Sequence, residues 1–342
     1  MQGELTSLVL AAGRGVRMRS EHLNKVCFPI GELPVISRAL RTYEECGISS
    51  HLVVIGHLGE QVREVVNRHH DNVQFAYQTE LKGTGHATRC GAKLLQRHNY
   101  QGAVLVVAGD KVVRAEPVRA LISTMRDTDA DLVFLTGDKS HNPPGTGRVL
   151  KDDSGRPVAI VEVSEIALSH LLAEVGRLIS HRSAKVATRE LLEAMRRHFP
   201  QESKLKRACP ELLALIAART QIDTDKVARV LYKQQAKTQI PILRDGRKET
   251  INAGQVEELT DEVNQSVYLF KAPALYEALE HIESANAQGE QYLTDTIAYL
   301  SSACDSQGQV RFRVSTVRVE DPSTCMGFNT PGELQEICEM YA

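Results

Sequence analysis

At 342 residues, with 42% hydrophobic and 25% charged side chains, the chain has the make-up of a soluble globular protein with a large core, and its length suggests about two domains. A formal net charge of −2 gives no overall bias toward nucleic acid or anionic membrane. No apolar run approaches the roughly 20 residues that span a bilayer, and Met1-Gln2-Gly3-Glu4-Leu5 lacks the basic region and apolar core of a secretory leader.

In chain order, Leu8-Val9-Leu10-Ala11-Ala12 reads as a buried strand that ends in Gly13-Arg14-Gly15-Val16-Arg17-Met18. Val35, Ile36, Ala39, Leu40 and Tyr43 recur at helical spacing and predict a helix over 34–46. Strands over 52–55, 73–77, 103–108 and 131–135 alternate with helices over 59–68, from about 85, and over 117–126. Such alternation implies βαβ units, right-handed crossovers and a doubly wound, mainly parallel α/β sheet. Residues 149–152 and 157–163, separated by Asp153-Ser154-Gly155, read as a hairpin on a β-rich edge.

From 166 to 250 nearly everything reads as helix, over 167–179, 184–198, 210–219 and 224–235, with Asp223 or Thr224 capping the last. Strand character returns over 266–270 and 310–317, helices over 272–282 and 293–301. No internal repeat stands out. The expected organisation is one catalytic domain from 1–165 and 251–342, interrupted by an all-helical insertion at 166–250. That insertion carries 17 Lys and Arg against 9 Asp and Glu, a net +8, leaving −10 elsewhere. The basic residues are scattered, which favours a solvated subdomain over a dock for a polyanion.

Seven cysteines (Cys27, Cys46, Cys90, Cys209, Cys304, Cys325 and Cys338) include no C-x-x-C pair. They suggest neither a zinc site nor a disulfide framework, and fit reduced thiols in a cytoplasmic enzyme.

The glycine turn after the first strand lets backbone N–H groups approach an anion, while Arg17 and Lys25 add positive charge. It is not a Walker A loop, for G-K-[ST] is absent. Nor is it the dinucleotide fingerprint, since Met18 stands where the third glycine belongs.

The loop resembles L-A-A-G-x-G-x-R-M…K, the opening of the sugar-phosphate nucleotidyltransferases. Gln78-Thr79-Glu80-Leu81-Lys82-Gly83-Thr84-Gly85-His86-Ala87 is similar to the Q-x-x-x-x-G-T-G-H-A stretch of one branch, the uridylyltransferase domain of bacterial N-acetylglucosamine-1-phosphate uridylyltransferase. Further matches follow in the family's order: Ala108-Gly109-Asp110, Gly145-Thr146-Gly147-Arg148, Val161-Glu162, Glu262-Val263-Asn264, and Asn286 to Asp295.

The resemblance implies a Rossmann-like fold and Mg²⁺-dependent transfer of UMP from UTP to a hexose 1-phosphate, with N-acetylglucosamine 1-phosphate foremost. It places Arg17 on the leaving phosphates and Lys25 on the α-phosphate, with Asp110 and Asn329 as metal ligands. The nucleotide would lie along Leu10, Ala11, Ala12, Gly13 and Gly109, its base against Gln78, Gly83 and Thr84. A glutamine amide can accept from uracil N3–H and donate to O4, or flip to serve cytosine. The sugar would meet Gly147, Glu162, Asn264 and Tyr292. His86 reads as a structural member of its turn. The partners are two small molecules, without nucleic acid or membrane, and the insertion offers a surface for self-association.

Three segments depart from the family pattern, all toward the sugar side. N-T-G has become Asn264-Gln265-Ser266, G-Y-G-R has become Gly145-Thr146-Gly147-Arg148, and Lys111-Val112-Val113 replaces the hydrophobic or proline-bearing segment after G-D. Two other readings therefore stand beside the first. One is the same chemistry on another nucleoside triphosphate or sugar 1-phosphate; the other is a catalytically silent nucleotide-sugar-binding subunit.

Overall fold

The computed structural model describes residues 4–18, 20, 22–181, 184–217, 219–244 and 246–341. Met1, Gln2 and Gly3, the start of the segment read for a leader, lie outside the described residues. The chain forms two compact units, one of Met1–Pro144, Glu262–Ile282 and Gln291–Ala342, the other of Gly145–Asp261 and Glu283–Glu290.

In the first unit seven strands lie in the order Val73–Tyr77, Ser50–Ile55, Leu5–Ala11, Ala103–Ala108, Glu262–Lys271, Leu132–Asp138, Val314–Val319. The first four are mutually parallel. Glu262–Lys271 runs antiparallel to both its neighbours, and Val314–Val319 is parallel to Leu132–Asp138. Leu8 and Val9, on opposite faces of the central strand, are both fully buried, as expected of a parallel strand covered on both sides.

Helices cover both faces. Val35–Glu45, Gly59–Asn67 and Ala115–Thr128 contribute Ile36, Leu40, Val62, Val66, Val118 and Leu121 to one core with Val9, Val53, Leu105 and Val133. Thr84–Arg97 packs on the other face, where Gly91 sits directly against the Leu8 and Val54 side chains. The sheet is the doubly wound, Rossmann-like one expected.

The chain builds outward from Leu5–Ala11 through Ser50–Ile55 to Val73–Tyr77. It then returns to the opposite side of the first strand as Ala103–Ala108. That reversal opens a crevice at the carboxyl ends of Leu5–Ala11 and Ala103–Ala108, where open α/β sheets take their ligands. Gly109 N donates to Leu10 O at 2.9 Å and ties the two ends together.

The second unit opens with the expected hairpin, Arg148–Lys151 against Pro157–Val161. Its second strand stops at Val161, because a helix, Val163–Ser180, starts with Glu162 at the N-cap position. Further helices are Thr188–His198, Glu202–Ala208, Pro210–Ile216 and Thr224–Gln235. Asp223 holds the N-cap position of the last without a capping bond, and pairs instead with Lys226 at 3.0 Å.

The segment is not all helical. Lys185–Ala187 pairs with Gln221–Asp223 and Gln239–Arg244 with Arg247–Asn252. Each ladder contains a cross-strand pair of β-branched residues, Val186 with Ile222 and Ile240 with Ile251, which favour extended backbone.

A repeat is also present. Each of the first two strands runs directly into a helix, and the connections mirror one another: Thr188 N donates to Thr220 O and Thr224 N to Ala184 O, both at 3.0 Å. Val186, Leu191 and Met195 match Ile222, Val227 and Leu231, and all six share one core. Thr188 and Thr224, which open the two helices, are the one identical pair over this stretch; the core positions share only apolar character, which hides the repeat from a reading of residue identity. Among the described residues no helix is long and apolar enough to cross a membrane.

Candidate active site

The first strand leaves the sheet at Ala11 and turns through Gly13 to Val16–Met18, a short helical turn closed by Met18 N donating to Gly15 O at 2.8 Å. Gly15 has φ +57°, and a Cβ there would stand 2.9 Å from Lys25 Cβ. Only glycine lets the Lys25 stem lie against this loop. Lys25 begins its own turn, Lys25–Cys27, capped by Asn24, whose Oδ1 accepts from Val26 N at 3.2 Å. Asn24 Nδ2 in turn donates to His57 O at 2.7 Å, anchoring the turn beyond the second strand.

Four of the expected residues meet here. Lys25 Nζ forms an ion pair with Asp110, just past the strand Ala103–Ala108. It also donates to Asn329 Oδ1 at 3.2 Å, and Arg17 Nη2 donates to the same oxygen at 2.6 Å. The Lys25 ammonium lies 5.0 Å from the centre of the buried Phe328 ring, a cation–π contact. Asn329 is held by its backbone: its N–H donates to Glu333, while Thr330 Oγ1 caps the helix Pro331–Met340 by accepting from Glu333 N at 3.3 Å. Thr330 does the capping, so the Asn329 side chain is left to the site.

The ammonium thus sits against a carboxylate oxygen and an amide oxygen. An all-oxygen pair carrying a single negative charge suits Mg²⁺, which takes one or two protein ligands and fills its shell with water and phosphate. Among the described residues no cluster of three His, Cys, Asp or Glu could hold a metal.

Gln78 follows the strand Val73–Tyr77 and is buried. Its Nε2 donates to Gly83 O and to His86 Nδ1, both at 3.1 Å. The carbonyl fixes which end of the amide is nitrogen. His86 Nδ1 must then be unprotonated, and burial with the nearby Lys82 and Arg89 charges lowers the imidazole pKa accordingly. Both amide hydrogens are committed, leaving Oε1 as the atom that can accept. The alternative donation to a base O4, open on sequence alone, would require this arrangement to break.

The turn itself is bound to another motif. Gly85 N donates to Gln291 O and Gln291 N to Lys82 O, both at 2.7 Å, and Leu293 N donates to Thr84 Oγ1 at 3.0 Å. Gly83 has φ +107°, and a Cβ there would stand 2.5 Å from Gln291 O.

The expected sugar residues divide between the units. In the first, Tyr292 lies within the segment joined to this turn. Asn264 is buried at an irregularity of Glu262–Lys271, its Nδ2 donating to Tyr268 Oη at 2.6 Å and its Oδ1 accepting from Ser266 N at 2.9 Å. Both polar atoms shape the strand. Ser266 has φ +57°, the left-handed conformation that glycine would take at less cost. In the second unit a Cβ on Gly147 would lie 3.4 Å from both Glu162 carboxylate oxygens. The neighbouring Arg148 is buried and forks onto Glu257, with Nε–Oε2 at 2.8 Å and Nη2–Oε1 at 3.1 Å.

No sequence signal marks Phe328 or the partnership of His86 with Gln78. The motif spacing marked Asn329 and the turn, but only folding brings the ring beneath Lys25.

A family model described as the MobA-like NTP transferase domain matches residues 7–289. The chain is 28% identical over 335 residues to the bifunctional protein GlmU of Geobacter metallireducens, covering 98% of this chain and 50% of that protein. It is 38% identical over 160 residues to the bifunctional protein GlmU of Geotalea daltonii, covering 46% of this chain and 34% of that protein. The chain therefore spans half or less of the length of these curated relatives. A crystal structure assigned as a glucose-1-phosphate thymidylyltransferase from Bacillus anthracis, in complex with a sucrose, shares the fold. Its TM-score is 0.55 at 13% identity, over 98% of this chain and 95% of that one.

Proposed function

Because this chain belongs to the MobA-like NTP transferase domain family, we propose that it transfers UMP from UTP to a hexose 1-phosphate, N-acetylglucosamine 1-phosphate foremost, releasing pyrophosphate. The observation that carries this reading is the meeting of Arg17, Lys25, Asp110 and Asn329 at the carboxyl ends of the two central strands.

The transfer needs alignment and charge compensation more than proton chemistry. A phosphate oxygen of the acceptor attacks the α-phosphorus of UTP, and the bond to the β-phosphate bridging oxygen breaks as pyrophosphate leaves. That acceptor oxygen is already ionised at neutral pH, so no general base is required.

Lys25 faces the α-phosphate and Arg17 the leaving phosphates. Each opposite-charge contact at about 4 Å contributes about 1 kcal/mol in water and about 4 kcal/mol in a partly dry crevice. Asp110 and Asn329 would hold Mg²⁺, which when bound supplies Lewis-acid compensation of phosphate charge. Gln78 Oε1 accepts from uracil N3–H, and the backbone from Leu10 to Gly13 with Gly109 lines the nucleotide. Asn264, Tyr292, Gly147 and Glu162 are the residues proposed to recognise the sugar.

A matrix of nucleoside triphosphates against sugar 1-phosphates, read by pyrophosphate release with Mg²⁺, tests this. UTP with N-acetylglucosamine 1-phosphate should give the highest kcat/KM. A different best pair would move the assignment within the enzyme class. No release with any pair would favour a silent binding subunit.

A further inference from the structure

Two of the segments that depart from the family pattern are far apart in sequence and touch in the fold. Lys111 follows Asp110 directly, and its Nζ donates to Gln265 Oε1 at 3.3 Å. Gln265 is buried. Its Nε2 donates to Asn142 Oδ1 at 2.7 Å, and Asn142 Nδ2 donates to Asp138 O at 2.7 Å. Each amide in this relay has its orientation set by the next, and the last free acceptor points its lone pair at the ammonium. The irregularity at Asn264–Ser266 aims Gln265 into the relay, as strand bulges commonly re-aim side chains beside active sites.

Space is reserved for the device as well. A Cβ on Gly137 would stand 2.2 Å from Gln265 Nε2, and one on Gly327 would lie 3.2 Å from Lys111 Cδ. The stem of Lys111 therefore lies along Gly327, two residues before Asn329. Lys111 is half-buried, its hydrogen-bond partner is neutral, and among the described residues no carboxylate pairs with it. A partly dry cation held only by an amide is stabilised when an anion arrives. Its neighbour Asp110 is already neutralised by Lys25.

We propose that Lys111, positioned by Gln265 and Asn142, is the acceptor-anchoring cation of this chain, binding the phosphate of the sugar 1-phosphate while Arg17 and Lys25 serve the triphosphate. The assignment rests on the transferase reading above and deepens it. A lysine offers three donors and a compact charge, so it grips a phosphate without specifying the sugar ring.

The test compares wild type with Lys111→Met, which keeps the stem and removes the charge, and with Lys111→Arg, which restores charge. Calorimetric binding of a panel of sugar 1-phosphates and of UTP runs beside initial rates of pyrophosphate release. For the methionine variant the expected result is acceptor affinity weakened about tenfold and acceptor KM raised to match, with UTP affinity unchanged and the arginine variant largely recovered. Unchanged acceptor binding, or equal weakening of both substrates, overturns the proposal. Acceptor binding that depends on Lys111 in a protein that turns over no pair sinks the transferase reading alone. A wild type that binds no sugar 1-phosphate sinks both.

Discussion

Lys25 and Asp110 are each other's counter-ions, brought together from the glycine-turn region and from the end of the neighbouring strand. Both are also the groups proposed to grip opposite partners, a phosphate and a divalent cation. The pair keeps the crevice electrically balanced before substrates arrive, and it must part for both roles to be played at once.

Replacing either residue should therefore damage chemistry more than folding. Asp110→Ala is expected to lower kcat at least about 10²-fold, the scale of losing a major electrostatic stabiliser. The pair is partly open to solvent, with side chains 11% and 29% exposed, so the melting temperature should shift little. Lys25→Ala should reduce kcat more than it raises KM for UTP, because charge concentrates at the α-phosphorus in the transition state. Steady-state kinetics with Mg²⁺ decide the matter. A rise in KM alone would make Lys25 a uniform binding residue.

His86 should act on base choice through Gln78. With Nδ1 accepting from the amide, Gln78 presents only an acceptor. His86→Ala removes one of the two constraints and should narrow the UTP over CTP preference by up to about tenfold, the scale of one hydrogen bond. Acid should do the same in wild type, since protonated Nδ1 becomes a donor and repels the amide N–H. The imidazole pKa is lowered, so this change belongs below the usual histidine range. A preference that is flat with pH and indifferent to the substitution would remove His86 from base selection.

At the other end of the sheet, His51 should make the fold acid-sensitive. Its ring is buried, with Nδ1 2.8 Å from Ser7 Oγ. Burial, opposed by Glu44 and reinforced by His70, lowers its pKa from 6.5 to about 4. The unfolded chain binds this proton more readily than the folded one. The stabilisation is therefore complete above pH 6.5 and is lost as pH falls toward 4, by up to about 3 kcal/mol. Urea denaturation at pH 7 and pH 4.5 measures the loss. His51→Asn should flatten that difference, and an equally steep dependence in the variant would assign the effect elsewhere.

Much of the architecture was legible in the chain. The strand Ala103–Ala108 and the helix Thr224–Gln235 fall where apolar runs and helical spacing put them, because both signals are local. The sequence marks only residues 266–270 of the strand Glu262–Lys271. Asn264, Gln265 and Ser266 are polar, and the left-handed turn at Ser266 interrupts the alternation a strand would show. The strand Lys185–Ala187 falls inside the helix that the sequence predicts over 184–198, since three residues carry no period and the pairing partner lies in a separate segment.

The glycine turn with its two cations, and the ordered motifs that follow it, determined the chemical class from sequence alone, for phosphate chemistry demands particular residue types at particular spacings. Tertiary structure decided which of those residues answer to one another. Asn329 faces Lys25 and Arg17 because Thr330 takes over the helix cap. Gln78 can only accept because Gly83 and His86 take both its hydrogens. Lys111 and Gln265, each merely an oddity in its own stretch of sequence, become one relay across neighbouring elements. Hydrogen bonds and charge pairs act over a few ångströms between segments far apart along the chain, and separations that short are set only when the sheet closes and the core packs.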